Sequence, residues 1–425
     1  MRNVVKLFLL VAVLSLALDG CGSSPSPAVT EAALATATAS PLPTNLPPTP
    51  TLTPIPKGKT IIVTNAEDSI SSGTLREALL AASPGDIITF DVSVFPVDDP
   101  KIIYLQSTLP NLEQGYVTVD ASMAGVILDG SNIRGDWESA IQVLSNNNTL
   151  RGLTLTNLSG AAIQISGGQD NLIEGNVAIN SDYGIGVWGA NASGNRITAN
   201  HFGIMPDGVT PQGNKSAGIL FMEESHDNLI GPDNHIAFNG HNGVEIYQAG
   251  TVRNIIFKNS IHDNGMSGIV LTMGGNNNLT APIVMDFDLG MGIVNGMACP
   301  SCEILFYSDT GDEGAIFEGQ TVADEKGVFS FEKGSRFSGP GLTATATDLQ
   351  GNTSGFSIPT TGNRIAMQLQ SGNIQPRIVL PTKPSGDLED NRLGGLWSDF
   401  WQPMDFQAGA PQPAAACLVP PGRPA

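Results

Sequence analysis

The strongest constraint on this chain is an asparagine that keeps returning. Asn148, Asn171, Asn195, Asn228 and Asn254 share one local frame at intervals of 23, 24, 33 and 26 residues, and Asn176, Asn200, Asn234 and Asn259 form a second such series. Self-similarity with a period in the twenties marks a solenoid. Each unit also carries a second element: AAIQIS at 161, YGIGVW at 183, AGILFM at 217, NGVEIY at 242 and SGIVLT at 267. Apolar residues alternate there with others, the pattern of a short strand with one face buried. A helical solenoid would want apolar residues at i, i+3, i+4 and i+7 with few glycines or β-branched residues, and this region has the reverse. Coils stacked at the ~4.8 Å spacing of paired strands bring equivalent asparagines side by side. Their amides can then bond one another along the axis while tolerating the left-handed backbone of a tight turn. The long interval is absorbed by GIMPDGVTPQGNK at 203–215, a turn-rich insertion expected to bulge from one corner.

A solenoid must hide its open apolar ends. The stretch TLREALL at 74–80 reads as a short helix followed by Pro84-Gly85-Asp86 and the strand IITF, placed to cover the first coil. In the repeat, and in TIIVTNAEDSISSGTLREALLAASPGDIITFD at 60–91, the sequence resembles the right-handed parallel β-helix proteins of the pectate-lyase-like superfamily over about residues 60–280. It resembles more narrowly a group of bacterial surface proteins in which a Gly-Thr-Leu-Arg-Glu-Ala core caps the coil, and NHFGIMPDGVTPQGN resembles that group's loop-bearing coil. After Pro282 the period vanishes, and CEILFYSD, GVFSFE and LTATATD read as strands of a small sandwich over 281–358. There ATATDLQGNTSGFS resembles the last strands of bacterial immunoglobulin-like modules, which usually act as spacers, covers or weak adhesive surfaces. The expected fold is all-β: a right-handed parallel β-helix followed by a small immunoglobulin-like β-sandwich.

The flanks have a different character. Arg2 and Lys6 precede an apolar run too short to span a bilayer comfortably, so residues 1–20 read as a signal peptide. Leu18-Asp19-Gly20-Cys21 resembles a bacterial lipoprotein cleavage site, which implies Cys21 as the lipidated first residue, although Asp19 departs from the pattern; an ordinary secretory peptide is the alternative. Both readings take the chain out of the cytoplasm, to the cell envelope or beyond. Residues 21–59 form a Pro/Thr/Ser-rich tether, and 359–425 a similar, mostly disordered tail in which Trp397, Phe400 and Trp401 cluster. A net charge of −20 argues against nucleic acid or an anionic membrane surface as partner, leaving a lipid anchor as the expected membrane contact.

Aligning the strands gives two outward columns: Gln164, Gly186, Leu220, Glu245 and Val270, then Ser166, Trp188, Met222, Tyr247 and Thr272. The second holds a strip of Trp188, Met222 and Tyr247, flanked by Tyr183, suited to stacking against sugar rings unless the loop or the sandwich covers it. The first holds a lone carboxylate, Glu245. It is the weak catalytic candidate, because glycoside hydrolysis needs a carboxylate pair roughly 5 to 9.5 Å apart, and a solvated surface group is the plainer account. The superfamily's lyases use calcium-holding aspartates beside a basic residue, and its hydrolases several aspartates with a Gly-His-Gly segment. Gly240-His241-Asn242-Gly243 is one residue too long, and neither pattern is matched. His201, His226, His235, His241 and His262 lack paired metal spacing and read as solvent-facing turn residues. Asp309, Asp312 and Glu313 could hold calcium, but without the spacing of a calcium loop they read as a polar hairpin, so no cofactor or metal is expected. Cys299-Pro300-Ser301-Cys302 precedes a strand, which favours a turn disulfide or two buried thiols over a redox pair or half a zinc site. These residues point to noncatalytic binding of polysaccharide or another surface ligand, with a polysaccharide lyase or glycoside hydrolase and a structural spacer as alternatives.

Overall fold

The computed structural model describes residues 56–361. Cys21, the tether up to residue 55 and the aromatic cluster at 397–401 lie outside the described residues. The chain winds through three parallel sheets: eight strands from Thr60–Val63 to Ile255–Ile256 make the first face, seven from Lys101–Tyr104 to Ser260–His262 the second, and six from Ile141–Val143 to Ile269–Thr272 the third. The five alternating segments read from sequence are strands of the third face. Stacking in register turns alternation into continuous apolar columns. Ile163, Ile185, Ile219 and Val244 follow one another on the third face, Ile173, Ile197, Ile230 and Ile256 on the first, and all are at most 2% exposed. Each such side chain contributes about 1.5–3 kcal/mol by leaving water.

The corners explain the asparagines. Where a coil turns from the third face to the first, Asn148, Asn171, Asn195, Asn228 and Asn254 form a ladder that ends on Asn276. From Asn171 to Asn254 each Oδ1 accepts both the backbone N–H and the Nδ2–H of the asparagine one coil earlier, as Asn195 does from Asn171 at 3.0 and 2.9 Å, while Asn276 Oδ1 accepts the Asn254 backbone N–H alone. The second corner repeats this with Asn176, Asn200, Asn234 and Asn259. A third ladder, unread from sequence, joins Ser181, Asn214, Asn239 and Asn264 at the remaining corner, with Asn214 at the end of the 203–215 insertion. Its first rung is a serine hydroxyl, which accepts the backbone N–H of Leu158.

Both ends of the coil are closed. Helix Leu75–Ala81 starts at Thr74, whose side chain accepts the Glu77 N–H, and it buries Leu75, Ala78 and Leu79 in the solenoid core. Beyond the last coil lie two small antiparallel sheets, one of three strands and one of four, sharing a core that includes Phe287, Phe306, Phe329 and Phe337. Cys299 and Cys302 form a disulfide in the turn before strand Glu303–Asp309, as the turn reading expected. This module takes up the backbone donors that the last coil exposes. Arg253 N–H reaches Asn352 Oδ1 at 2.7 Å, Ile256 N–H reaches Thr353 Oγ1 at 3.0 Å, and Ile261 and Gly314 exchange backbone bonds. Glu313 terminates the third ladder, its Oε2 accepting Asn264 N–H at 3.1 Å. Burial, opposed by the bonds from Asn264 and reinforced by Asp309 and Asp312, pushes the Glu313 carboxyl up to about 7.

Two outcomes follow from the ladders and their ends. Asn200→Ala removes the acceptor for two buried donors of Asn176 and should lower unfolding stability by about 3 kcal/mol in urea titration, whereas Asn191→Ala, on an exposed corner, should stay within about 0.5 kcal/mol. A carboxyl whose folded pKa lies above its unfolded value stabilises fully below the unfolded value and loses that stabilisation as pH rises through about 7. In chelator-treated buffer, the stability of wild type relative to Glu313→Gln should therefore fall on the order of 3 kcal/mol between pH 4 and pH 8, read as the difference between their melting curves.

Candidate functional site

The outer surface of the third face carries the residues singled out from sequence. With Ile165, Val187, Phe221 and Ile246 turned inward, the two predicted columns stand in register across neighbouring coils, Gly186 between Gln164 and Leu220 and Trp188 between Ser166 and Met222. Trp188, Met222 and Tyr247 are each half-buried. Trp188 does not stand out from the sheet. Its indole folds back over Gly186, where a Cβ would lie 2.7 Å from Cζ2, and its Nε1–H is buried without a hydrogen-bond partner. The ring thus lies along the sheet in the notch that the glycine leaves.

Glu245 accepts hydrogen bonds from Asn242 Nδ2 and Thr272 Oγ1, both at 3.2 Å. Both partners are neutral, and its column neighbours Leu220 and Val270 are apolar. The column therefore holds one carboxylate where acid–base hydrolysis of a glycoside would need two.

Tyr183 takes part in an arrangement that sequence reasoning missed. It stacks on Trp137, with ring centroids 6.0 Å apart and planes inclined by 19°. Trp137 is 55% exposed and has a backbone φ of 63°. For a bulky side chain that conformation costs roughly 1–3 kcal/mol and persists only where the surroundings impose it. Here the surroundings are specific: Glu138 N–H donates to Ser159 Oγ, the Ser159 hydroxyl donates to Gly135 O, and Gly160 N–H donates to Glu138 O, each at 3.0 Å. Thr108 Oγ1–H holds the Glu138 carboxylate at 2.8 Å. Gly160 lets the loop close, because a Cβ there would sit 2.6 Å from the Trp137 carbonyl. Burial pushes the Tyr183 phenol up, and the Asp182 and Glu245 carboxylates push it further, against an opposing bond with Ser216. The result is an aromatic pair at the head of the face, exposed at Trp137 and half-buried at Tyr183, bordered by Glu138, Asp182 and Glu245. Trp137 lies in NIRGDWES, ahead of the first frame asparagine, so the repeat gave no reason to place it beside Tyr183.

The second face corrects the reading of the histidines. His201, His235 and His262 lie within the strands His201–Phe202, His235–Ala237 and Ser260–His262, not in solvent-facing turns. The His201 and His235 rings pack 5.0 Å apart on adjacent coils, and His262 lies against the edge of Phe238. Burial lowers the pKa of His201 and of His235, helped in each case by the next imidazole along the face, His235 and His262 respectively. The short-period spacing used to judge metal ligands was blind to this column, because a solenoid sets neighbours one coil apart. Among the described residues, no three His, Cys, Asp or Glu side chains gather as a metal-binding group.

Comparison with known proteins bears on the fold. Residues 116–282 match the family described as the right-handed beta helix region. Two solved structures are similar at low identity. The Dettilon tailspike protein gp208 aligns at 14% identity and a TM-score of 0.34 over 50% of this chain and 47% of its own. ORF18 of Geobacillus virus E2 aligns at 11% identity and a TM-score of 0.28 over 77% and 80%. The chain thus spans about half the length of the tailspike it aligns with. No curated protein matches the sequence. The matched span and the three parallel sheets make this part of the chain a right-handed parallel β-helix.

Proposed function

We propose that this is an exported bacterial cell-surface protein, lipid-anchored at Cys21, that binds polysaccharide on the third face of its β-helix without transforming it. In this reading residues 1–20 are the signal peptide, 21–59 the tether, 60–280 the β-helix with its N-terminal cap, 281–358 an immunoglobulin-like module covering the far end, and 359–425 the tail. The ligand lies along Trp137, Tyr183, Trp188, Met222 and Tyr247. The supporting observation is Trp137, an indole kept more than half exposed in a strained backbone and stacked on Tyr183. Such strain contributes nothing to the core, whereas an exposed aromatic platform gains apolar contact with a sugar ring, on the order of 1–3 kcal/mol per ring. Glu245, with two neutral partners, acts as a hydrogen-bond acceptor for ligand hydroxyls and not as half of a catalytic pair.

Binding of the purified chain to a panel of neutral, amino-sugar and uronic-acid glycans tests this reading. Trp137→Ala and Tyr183→Ala should each weaken retention of a bound glycan about tenfold, and Trp137→Ala, at the more exposed position, should leave the melting temperature nearly unchanged. Release of unsaturated products or new reducing ends would move the protein to the lyase or hydrolase class. Absence of binding across the panel would leave a structural spacer.

A further inference from the structure

We propose that the hairpin Asp309–Glu313 holds a calcium ion at the joint between the last coil and the C-terminal module. The hairpin links strands Glu303–Asp309 and Ile316–Val322, and it sits where Glu313 ends the third ladder. Two of its carboxylates are buried, Asp309 at 8% exposure and Glu313 at 4%. Each uses only one oxygen. Glu313 Oε2 accepts the Asn264 N–H, and Asp309 Oδ1 accepts the Gly311 N–H at 3.1 Å. Glu313 Oε1 and Asp309 Oδ2 are buried with no hydrogen-bond partner.

Once Glu313 is ionised, two unpartnered carboxylate oxygens in a buried joint are costly unless a positive charge compensates them. The chemistry of the donors selects the ion. They are hard carboxylate oxygens, with no histidine or thiolate among them, which suits calcium. Calcium takes six to eight oxygens in an adaptable shell, so Asp309 and Glu313 would provide two and water several more. Asp312, exposed and adjacent to Glu313 in the chain, adds a negative charge that acts on the Glu313 carboxyl and would favour a cation there. A groove lined by Ser267, Gly268, Asp312, Phe356 and Ser357 runs beside the joint. On the solenoid side, Glu313 Cβ would lie 3.2 Å from a Cβ at Gly268, so an ion bound here ties the module to the last coil.

Calcium titration of the chelator-treated full chain at pH 7.5, followed by calorimetry and thermal melting, tests the site. Calcium at a hundredfold excess over its Kd should raise the melting temperature by roughly 5 °C. Glu313→Gln should lose that response. Asp312→Asn, an exposed change that leaves the fold intact, should weaken calcium binding about tenfold without altering the melting temperature in chelator. A wild-type melting temperature that ignores calcium yet rises on acidification would overturn the proposal in favour of a proton at Glu313. So would a calcium response of equal size in wild type, Glu313→Gln and Asp312→Asn.

Discussion

The structure depends on how a buried corner satisfies its backbone. Each coil turns three times within a stack, so the N–H groups at the corners are sealed between coils above and below, out of reach of water. An asparagine there solves three problems together. Its Oδ1 takes the orphan N–H of the previous coil, its Nδ2 gives to a carbonyl or to the next amide, and its short side chain can do both without leaving the corner. Ser181 confirms that the requirement is for an acceptor at that position more than for asparagine itself, since its hydroxyl takes the Leu158 N–H in the same place.

Because the ladders also lock the register of one coil on the next, they determine which outward side chains become neighbours. Trp188 beside Met222, Glu245 between Leu220 and Val270, and His201 against His235 are all consequences of that register. A slip of one residue would turn the isoleucine columns outward and dissolve each of these groupings. The corners thus secure both the core and the geometry of the surface.

The features with chemical interest lie where the repeat is interrupted. Trp137 belongs to a loop ahead of the first ladder, and its strained backbone is held by Ser159 and Gly160 from the coil that follows. Glu313 belongs to the module that ends the third ladder, standing where a further asparagine would come. Regular coils close their corner amides among themselves through the ladders. The interruptions leave exposed rings or unpaired oxygens, and these are the groups a partner can engage.

The sequence alone settled what periodicity encodes: the β-solenoid, the strands of the third face, the inward isoleucines, two of the three asparagine ladders and the helix after Thr74. A side chain's identity and its place in a repeat are enough for that, because every coil repeats the same burial pattern. Only the tertiary structure decided that Trp137 meets Tyr183, that Trp188 lies down over Gly186, that the histidines share a face, and that the C-terminal module closes the last coil. Those contacts join residues outside the repeat, or depend on which way a ring rotates. The third ladder stayed hidden for a related reason, since Ser181 replaces its first asparagine and the insertion at 203–215 breaks its spacing. Period alone says which residues are equivalent; packing in three dimensions says what the exceptions touch.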